Sequence, residues 1–229
     1  MPDESTDALG QVLTHIDETI ERSREGWARW PGGWPDDIES ALIDAVFSAR
    51  AVYTTNAGRG VLGKVRAWQQ SRPDGLRSLE RLRGEIDGAG VDGWAESFGS
   101  HQHSPGRKPS APNGPTKVAA VREAADALVD RVHVNTADDI TEDNVGQVKQ
   151  TLRSVPGIGY ATTNYFLMLL GRPGVKPDRM IHRFLEVATG RDRSNSEAEE
   201  LVTGVASNLR VAPHELEHAI WSHESKRVA

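Results

Sequence analysis

The sequence predicts an all-α protein. Apolar residues recur at steps of three and four along most of the chain, which is the period of an amphipathic helix. Pro and Gly separate these periodic segments, and an Asp, Ser or Thr often precedes the next apolar run, so the chain carries signals for helix starts and stops. Strict alternation of apolar and polar residues, the pattern of a half-buried strand, is missing.

The periodic segments predict ten helices in order. Asp36 and Asp37 are candidate caps for the second helix, and Thr141, Asp143, Asp178 and Ser196 precede later ones. The stretch from Gly99 to Pro115 is rich in Ser, Pro and Gly and is predicted to be a flexible loop. The predicted helices are Leu9 to Ile20, Ile38 to Val46, Val61 to Gln70, Leu76 to Ile86, Lys117 to Val132, Asn144 to Ser154, Tyr160 to Leu170, Arg179 to Thr189, Glu197 to Leu209 and His214 to Ser222.

Composition excludes several classes of protein. With 229 residues the chain is long enough to bury a substantial core. It has no cysteine, which excludes disulfides, thiolate chemistry and cysteine-ligated zinc or iron–sulfur clusters. No apolar run approaches 18 residues, so no membrane span is predicted. The first residues are acidic and polar, the reverse of a signal peptide, and we expect a cytoplasmic protein.

Basic residues are segregated from acidic ones, although the net charge is −6. Three stretches, residues 45–73, 97–122 and 144–177, contain no Asp or Glu and hold thirteen of the 27 Lys and Arg residues. Phosphate neutralisation supplies much of the affinity for nucleic acids. If the three stretches meet in space, they form a positive surface for a polyphosphate on an acidic protein. Burial or chance would produce the same stretches without any partner.

A glycine-rich turn joins two predicted helices at residues 155–159, Val-Pro-Gly-Ile-Gly. Pro156 ends the first helix, and Gly157 and Gly159 permit a tight turn with unusual backbone angles. The free amides at the start of the next helix attract a phosphate, and the absence of a side chain at Gly159 lets it approach. Such a site holds the backbone and reads no base. An ordinary turn between two helices has a similar composition.

These residues resemble the helix-hairpin-helix DNA glycosylase superfamily and its endonuclease III-like members. The family pattern is Leu-Pro-Gly-Val-Gly, an apolar helix, and then Val-Asp-Thr-His-Val-x-Arg. Here the corresponding segments are residues 155–159 and residues 175–183, Val-Lys-Pro-Asp-Arg-Met-Ile-His-Arg. On that match Asp178 takes the position of the catalytic aspartate, and Arg183 that of the arginine five residues later.

Two weaker likenesses precede the hairpin in the family's order. Residues 47–51, Phe-Ser-Ala-Arg-Ala, are similar to the Leu-Ser-Ala-Gln-Ala of endonuclease III-like members, whose glutamine wedges into the duplex; Arg50 takes that position. Tyr53 is the second candidate for the wedge. Residues 115–118, Pro-Thr-Lys-Val, are similar to the family's Ser-Lys-Ala helix start, which places Lys117 among the candidate DNA contacts.

Departures from the family pattern limit the chemistry. Bifunctional members carry a Schiff-base lysine two residues after the second glycine, where this chain has Ala161, so lyase activity is not expected. Met180 replaces the family histidine. The four cysteines that hold an iron–sulfur cluster in some members are absent, and no metal is expected. A monovalent cation at the hairpin is compatible with the resemblance, which implies no other cofactor.

The resemblance implies a monofunctional base-excision repair glycosylase acting on double-stranded DNA. Cleavage of a sugar–base bond builds positive charge on the sugar, and a carboxylate near C1′ stabilises this charge and activates water, the role expected of Asp178. Extrusion of the nucleotide requires a filler, Arg50. The residues expected to contact DNA are Gly157, Ile158, Gly159, Thr162, Arg50, Lys117, Lys176 and Arg183.

The resemblance also implies a two-lobed fold. A helical barrel lobe, residues 36–170, would end in the helix-hairpin-helix, and a second lobe would join residues 1–35 to residues 171–229. The active site is expected in the cleft between the lobes, in a monomer.

Three alternatives remain open on the sequence. The chain is alternatively a non-catalytic helix-hairpin-helix protein that binds DNA as an adaptor. Asp178 is alternatively only the N-cap of the helix that follows it, although capping and catalysis are compatible. Residues 214–218 fit the His-Glu-x-x-His pattern of zinc hydrolases, yet the sequence offers no convincing third ligand, and Leu216 and Ile220 favour core packing.

Overall fold

The computed structural model describes residues 4–20, 24–27, 30, 32–53, 60–72, 77–108 and 111–227. This part of the chain is mostly helical, which confirms the predicted class at that level. Short 3-10 helices span Arg24–Gly26 and Ala137–Asp139. The longer elements are α1 (Glu4–Thr19), α2 (Ile38–Phe47), α3 (Val61–Gln70), α4 (Leu79–Ala89), α5 (Val91–Phe98), β1 (His103–Lys108), β2 (Ala111–Thr116), α6 (Lys117–Val132), α7 (Val145–Ser154), α8 (Tyr160–Leu169), α9 (Arg179–Thr189), α10 (Asn195–Leu209) and α11 (Pro213–Lys226).

The chain forms two compact units. The hairpin unit is Gly33–Gly171, and the terminal unit combines Met1–Gly32 with Arg172–Ala229. The limits expected from the sequence for the barrel lobe are residues 36 and 170. No helix in the described part of the chain has both the length and the apolar character needed to cross a membrane.

The hairpin unit is built around α2, all ten residues of which are buried. Helices α3, α6 and α8 pack against it. Asp37 caps its N-terminus and accepts a hydrogen bond from the Ser40 amide. Inside the unit Arg72 lies 3.3 Å from the fully buried Glu39. Burial raises the pKa of Glu39 to about 7 despite the opposing attraction of that guanidinium.

The terminal unit packs α1, α9, α10 and α11 around one apolar core. Helix α9 carries the most regular apolar stripe, with Ile181, Phe184 and Leu185 buried at helical spacing. Ser194 and Glu197 form a reciprocal capping box at the start of α10. This box corrects the prediction that Ser196 is the cap, since Ser196 lies inside the helix.

The structure corrects the prediction of an irregular loop at residues 99–115. Strands β1 and β2 pair antiparallel there, with His103 opposite Thr116 and Lys108 opposite Ala111. The register shifts twice between these pairs, so the Pro and Gly residues interrupt any alternation of side chains that the sequence could display. Helix α5 was also not predicted, because it has only eight residues and lies between Gly90 and Gly99. Leu76, a predicted helix start, lies outside the described residues.

A close approach of two backbones at the start of the hairpin unit gives a first test. Trp34 donates its amide to the Leu169 carbonyl at 2.5 Å. A Cβ added at Gly33 would overlap that carbonyl oxygen and lie 2.7 Å from the Leu169 Cα. Gly33→Ala should therefore lower the free energy of unfolding by about 1–3 kcal/mol, measured with urea.

Gly84→Ala is the matched control within the same unit. Gly84 lies inside α4, and none of the described atoms lies within 4 Å of an added Cβ. This variant should gain up to about 1 kcal/mol, because alanine favours the helix. Equal effects of the two substitutions would contradict the close packing of Gly33 on Leu169.

Candidate nucleic-acid interface and catalytic carboxylate

The glycine-rich turn connects α7 to α8 in the hairpin unit, between Ser154 and Tyr160. Ile158 donates its amide to the Val155 carbonyl at 3.1 Å, and both side chains are buried. Ile158 is only 2% exposed. The side chain thus anchors the turn in the core, and the expected contact of Ile158 with DNA stays a prediction.

The two glycines of the turn have different reasons to be glycine. Gly157 has φ +88, and an added Cβ would lie 2.7 Å from the Ser104 Cβ and Oγ and 3.2 Å from the Pro115 Cγ. The chain's own fold thus requires glycine there. Gly159 has extended backbone angles, and no described atom lies within 4 Å of an added Cβ. Gly159 therefore leaves open space at the start of α8.

The first amides of α8 face this open end. Gly159 is the N-cap residue, and no side chain in the described part of the chain caps the helix. The first intrahelical bond is donated by Thr163 to the Gly159 carbonyl at 3.0 Å, so the amides of residues 160–162 have no partner within the helix. Thr162 itself is half-buried. Together these amides form the positive end of the helix dipole.

A cation from α7 stands beside this helix start. The Arg153 guanidinium lies 3.9 Å from the centre of the Tyr160 ring, and its Nη2 donates to the Asn164 Oδ1 at 3.4 Å. The stack joins the last turn of α7 to the first turn of α8. It places a positive charge next to the uncapped amides, a contribution that the sequence analysis missed because it depends on the packing of the two helices.

Residues after α2 form a second exposed feature of the hairpin unit. Arg50 is exposed and has φ +51, which is rare for a residue other than glycine. Val52 is 67% exposed. The carbonyls of Val52 and Tyr53 accept the amides of Val61 and Leu62 at 3.2 and 3.1 Å, which fixes the end of this turn. We call residues 50–52 the Arg50 turn.

Tyr53 is not available as the wedge. Its hydroxyl donates to the buried carboxylate of Asp44 at 3.0 Å. The Trp34 indole donates to the same oxygen at 2.9 Å. Burial, and then the Asp44 charge, raise the pKa of Tyr53, so its hydroxyl stays protonated. Arg50 remains as the candidate from the sequence.

Lys117 does not face solvent, which corrects its expected contact with DNA. Its side chain is 1% exposed, and its Nζ donates to the Phe47 carbonyl at 2.8 Å, the Ala49 carbonyl at 2.7 Å and the Gln102 Oε1 at 2.9 Å. Burial lowers its pKa to about 8. The ammonium thus closes the C-terminal end of α2.

Some cations of the acid-free stretches have acidic partners within the protein. Arg72 is buried against Glu39, and Arg122 pairs with Asp87 at 2.9 Å. Arg59 and the side chains of Arg107 and Lys108 lie outside the described residues. Charge counts along the sequence therefore overstate the cations that a ligand meets.

Asp178 lies in the terminal unit, half-buried at the start of α9. Its Oδ1 accepts the amides of Met180 and Ile181 at 2.8 and 3.4 Å. Among the described residues nothing donates a hydrogen bond to Oδ2. One oxygen thus fixes the carboxylate to the helix, and the other is left for a further partner.

Glu217 of α11 is a second carboxyl group in the electrostatic surroundings of Asp178. It is 3% exposed. Burial raises its pKa to about 8, and the charge of Asp178 adds to this rise, while Lys176 opposes it. Glu217 is therefore protonated at pH 7. The sequence signal for it was a carboxylate within the apolar stripe of Leu216 and Ile220.

Arg183 and Lys176, two expected DNA contacts in the terminal unit, have different surroundings. The Arg183 guanidinium pairs with the fully buried Glu224 through its Nε, and its Nη2 donates to the Glu224 carbonyl at 2.7 Å. This pairing compensates the buried charge of Glu224, and the expected contact of Arg183 with DNA stays a prediction. Lys176 is half-buried, and its positive charge lowers the pKa of Glu217, against the larger effect of burial.

The two histidines of the zinc-like motif contact an indole. His214 and His218 meet the Trp30 ring edge-on, with ring centres 6.3 and 5.7 Å away. In the described part of the chain no group of three or more His, Asp or Glu residues could hold a metal ion.

A family model matches residues 12–225 and is described as Domain of unknown function (DUF8548). The chain belongs to this family. The DUF8548 match includes the glycine-rich turn, the Arg50 turn and Asp178. No curated protein matches the chain.

The unlike surroundings of the two glycines can be tested by stability. Gly157→Ala should lower the free energy of unfolding by at least about 2 kcal/mol, because positive φ and the Ser104 contact both oppose a side chain. Gly159→Ser should leave stability equal or slightly higher, because serine is a favoured N-cap and has room. Urea unfolding measures both, and equal losses would contradict the open space at Gly159.

Proposed function

We propose that this protein is a monofunctional DNA glycosylase, with a two-lobed helix-hairpin-helix fold, that hydrolyses the bond between a damaged or modified base and its sugar in duplex DNA. The observation that carries the proposal is Asp178. The residue that resembles the family's catalytic aspartate has one oxygen fixed by two backbone amides and the other not engaged by any described residue. A cap alone would not require residues 175–183 to resemble the family pattern.

The glycine-rich turn supplies the grip on DNA in this proposal. A phosphate oxygen would accept the amides of residues 161 and 162 in the first turn of α8, with the Arg153 charge beside them. Gly159 supports this role, since the fold has no steric need for glycine at that position. Contacts of this kind hold the backbone of any sequence, so the turn contributes affinity and the base pocket contributes selectivity.

Hydrolysis follows from the charge of Asp178. As the bond between C1′ and the base nitrogen breaks, its electrons leave with the base, and positive charge develops on the sugar ring. The carboxylate stabilises this charge and accepts the proton of the water that attacks C1′. The products are an abasic sugar and a free base, which takes up the proton that the carboxylate received from water. Ala161 offers no amine to the sugar, so the strand stays intact.

The Arg50 turn completes the proposal. An enzyme of this class must move the target nucleotide out of the stack, at the cost of a few kcal/mol. The exposed Arg50 and the neighbouring Val52, fixed by backbone hydrogen bonds, offer a cation and an apolar group for the vacated space.

One observation favours a second candidate, a non-catalytic DNA-binding protein. The sequence departs from the family pattern beside Asp178, where Met180 replaces the family histidine. An adaptor would keep the glycine-rich turn and release no base.

A panel of duplexes, each with a different modified base, separates the two candidates. The wild-type protein should release the base from at least one duplex and leave an alkali-labile abasic site. Asp178→Asn should bind that duplex and release no base, because asparagine still caps α9 but carries no charge. Ser194→Ala, which removes the cap of α10 in the same unit, should keep the activity. Binding by both proteins without any product would establish the adaptor instead.

Gly159→Ser tests the turn within the same panel. Its hydroxyl caps the amides that the phosphate would use, so affinity should fall at least tenfold for every duplex alike, with the fold intact. A loss confined to one duplex, or no loss, would contradict the backbone grip.

A further inference from the structure

Lys117 links three segments of the hairpin unit that are distant in sequence. It is the first residue of α6, and its three ammonium hydrogens have three acceptors: the Phe47 carbonyl, the Ala49 carbonyl and the Gln102 Oε1. Its backbone amide also donates to the Gln102 carbonyl at 2.8 Å. The segment before β1 is thus joined to the end of α2 through this side chain.

The two carbonyls lie where α2 ends. Phe47 is the last helical residue, and carbonyls at a helix C-terminus have no amide partner within the helix. Solvent does not replace Lys117 here, since the side chain is 1% exposed. A positive charge at this end also interacts favourably with the negative end of the helix dipole.

The Arg50 turn begins immediately after this attachment. Ala49 is bound by Lys117 on one side of the turn, and on the other side Tyr53 is bound by Asp44 through its hydroxyl and by Leu62 through its carbonyl. Between these attachments Arg50 and Val52 are exposed. The positive φ of Arg50 is a strained conformation that persists only where the neighbouring residues are fixed.

We propose that Lys117 is a positioning residue that holds the Arg50 turn in the conformation that enters the DNA duplex. This inference rests on the proposed function. Lys117 does not touch DNA; it acts through the two carbonyls on which the turn is built. A neutral amine has two hydrogens for three acceptors, so the turn is held fully only while Lys117 carries its proton.

The titration of Lys117 falls near neutral pH. Burial lowers its pKa from 10.5 to about 8. Between pH 8 and 10.5 the Lys117 side chain keeps its proton in the unfolded chain and loses it in the folded protein. Because the unfolded state binds more protons in this range, this group makes the free energy of unfolding rise with pH. A fall in DNA affinity over the same interval does not then come from unfolding. The titratable groups on the elements around Lys117 are Glu39 and Asp44 in α2, His101 and His103 at β1, and Arg122, Glu123, Asp126, Asp130 and Arg131 in α6. Burial raises the pKa of Glu39 to about 7, so its contribution to a pH profile is read from Lys117→Met, which retains it.

The first test needs no DNA. Trypsin cleavage after Arg50 is measured at pH 7 by mass spectrometry, in wild type, Lys117→Met and the control Arg122→Met. Arg122 lies on the same helix and pairs at the surface with Asp87, so its loss removes a cation without touching the turn. Lys117→Met should be cleaved after Arg50 at least tenfold faster than the other two. Equal rates would overturn the positioning role, whatever the affinity for DNA.

The second test measures affinity for one duplex with an abasic site from pH 6.5 to 9.5. Wild type and Arg122→Met should bind at least fivefold more weakly at pH 9 than at pH 7, with a midpoint near 8. Lys117→Met should bind weakly throughout and should lack the step near pH 8, and any remaining pH dependence comes from the neighbouring groups. A flat wild-type profile would overturn the role of the proton.

The two tests separate this inference from the proposed function. If wild type binds no duplex at any pH, the proposed function fails, and the cleavage rate still decides whether Lys117 holds the turn. If Lys117→Met does not fold, the wild-type pH profile and the NMR titration of the Lys117 side chain decide whether DNA affinity follows the protonation of Lys117. A side-chain midpoint above 10 would contradict the role of the Lys117 proton in a pH dependence near 8.

Discussion

A helix without an exposed residue must have both of its ends satisfied by other parts of the protein, and the hairpin unit depends on this constraint. Helix α2 has no access to water for its terminal amides and carbonyls. Asp37 accepts the amide of Ser40, the third residue of α2, at 3.0 Å, and Gln69 donates to the Asp37 carboxylate at 2.9 Å. Lys117 donates to the carbonyls at the other end. The position of α2, and of the turn that follows it, is therefore set by residues far away in sequence.

Local patterns predicted the helices well where a regular apolar period was combined with clear start and stop residues. Helix α2 follows Asp37 as expected, and α3, α6 and α9 begin and end where the apolar period does. The β-hairpin escaped prediction because its strands are rich in Pro and Gly and pair through the backbone with shifted register. A ladder of that kind leaves no alternation of side chains to detect.

The candidate functional residues also differ in how far local sequence could identify them. Asp178 was identified from sequence because its role as a cap and its surroundings are local. The direction of Lys117 was not, because a long charged side chain at a helix start usually reaches solvent, and only the packing of α6 against α2 turns it inward. Glu217 and the stack of Arg153 on Tyr160 also arise from contacts between helices.

In the proposed mechanism, Asp178 both caps α9 and stabilises the charge of the reacting sugar. The two amides on Oδ1 hold the group at the start of α9, in a unit whose core is apolar and closely packed. A fixed charge needs no reorganisation when positive charge develops beside it, which is the advantage of a prearranged site. The protonated Glu217 adds no second negative charge at pH 7, so the electrostatic stabilisation is assigned to Asp178.

The most direct measurement compares two duplexes that differ in a single sugar position. One carries a cationic pyrrolidine ring in place of the nucleoside, and the other carries the neutral tetrahydrofuran ring of similar shape. If Asp178 stabilises positive charge on the sugar, the wild-type protein should bind the pyrrolidine duplex at least tenfold more tightly than the tetrahydrofuran duplex, and Asp178→Asn should lose this preference. Equal affinity of the wild-type protein for the two duplexes would contradict the account.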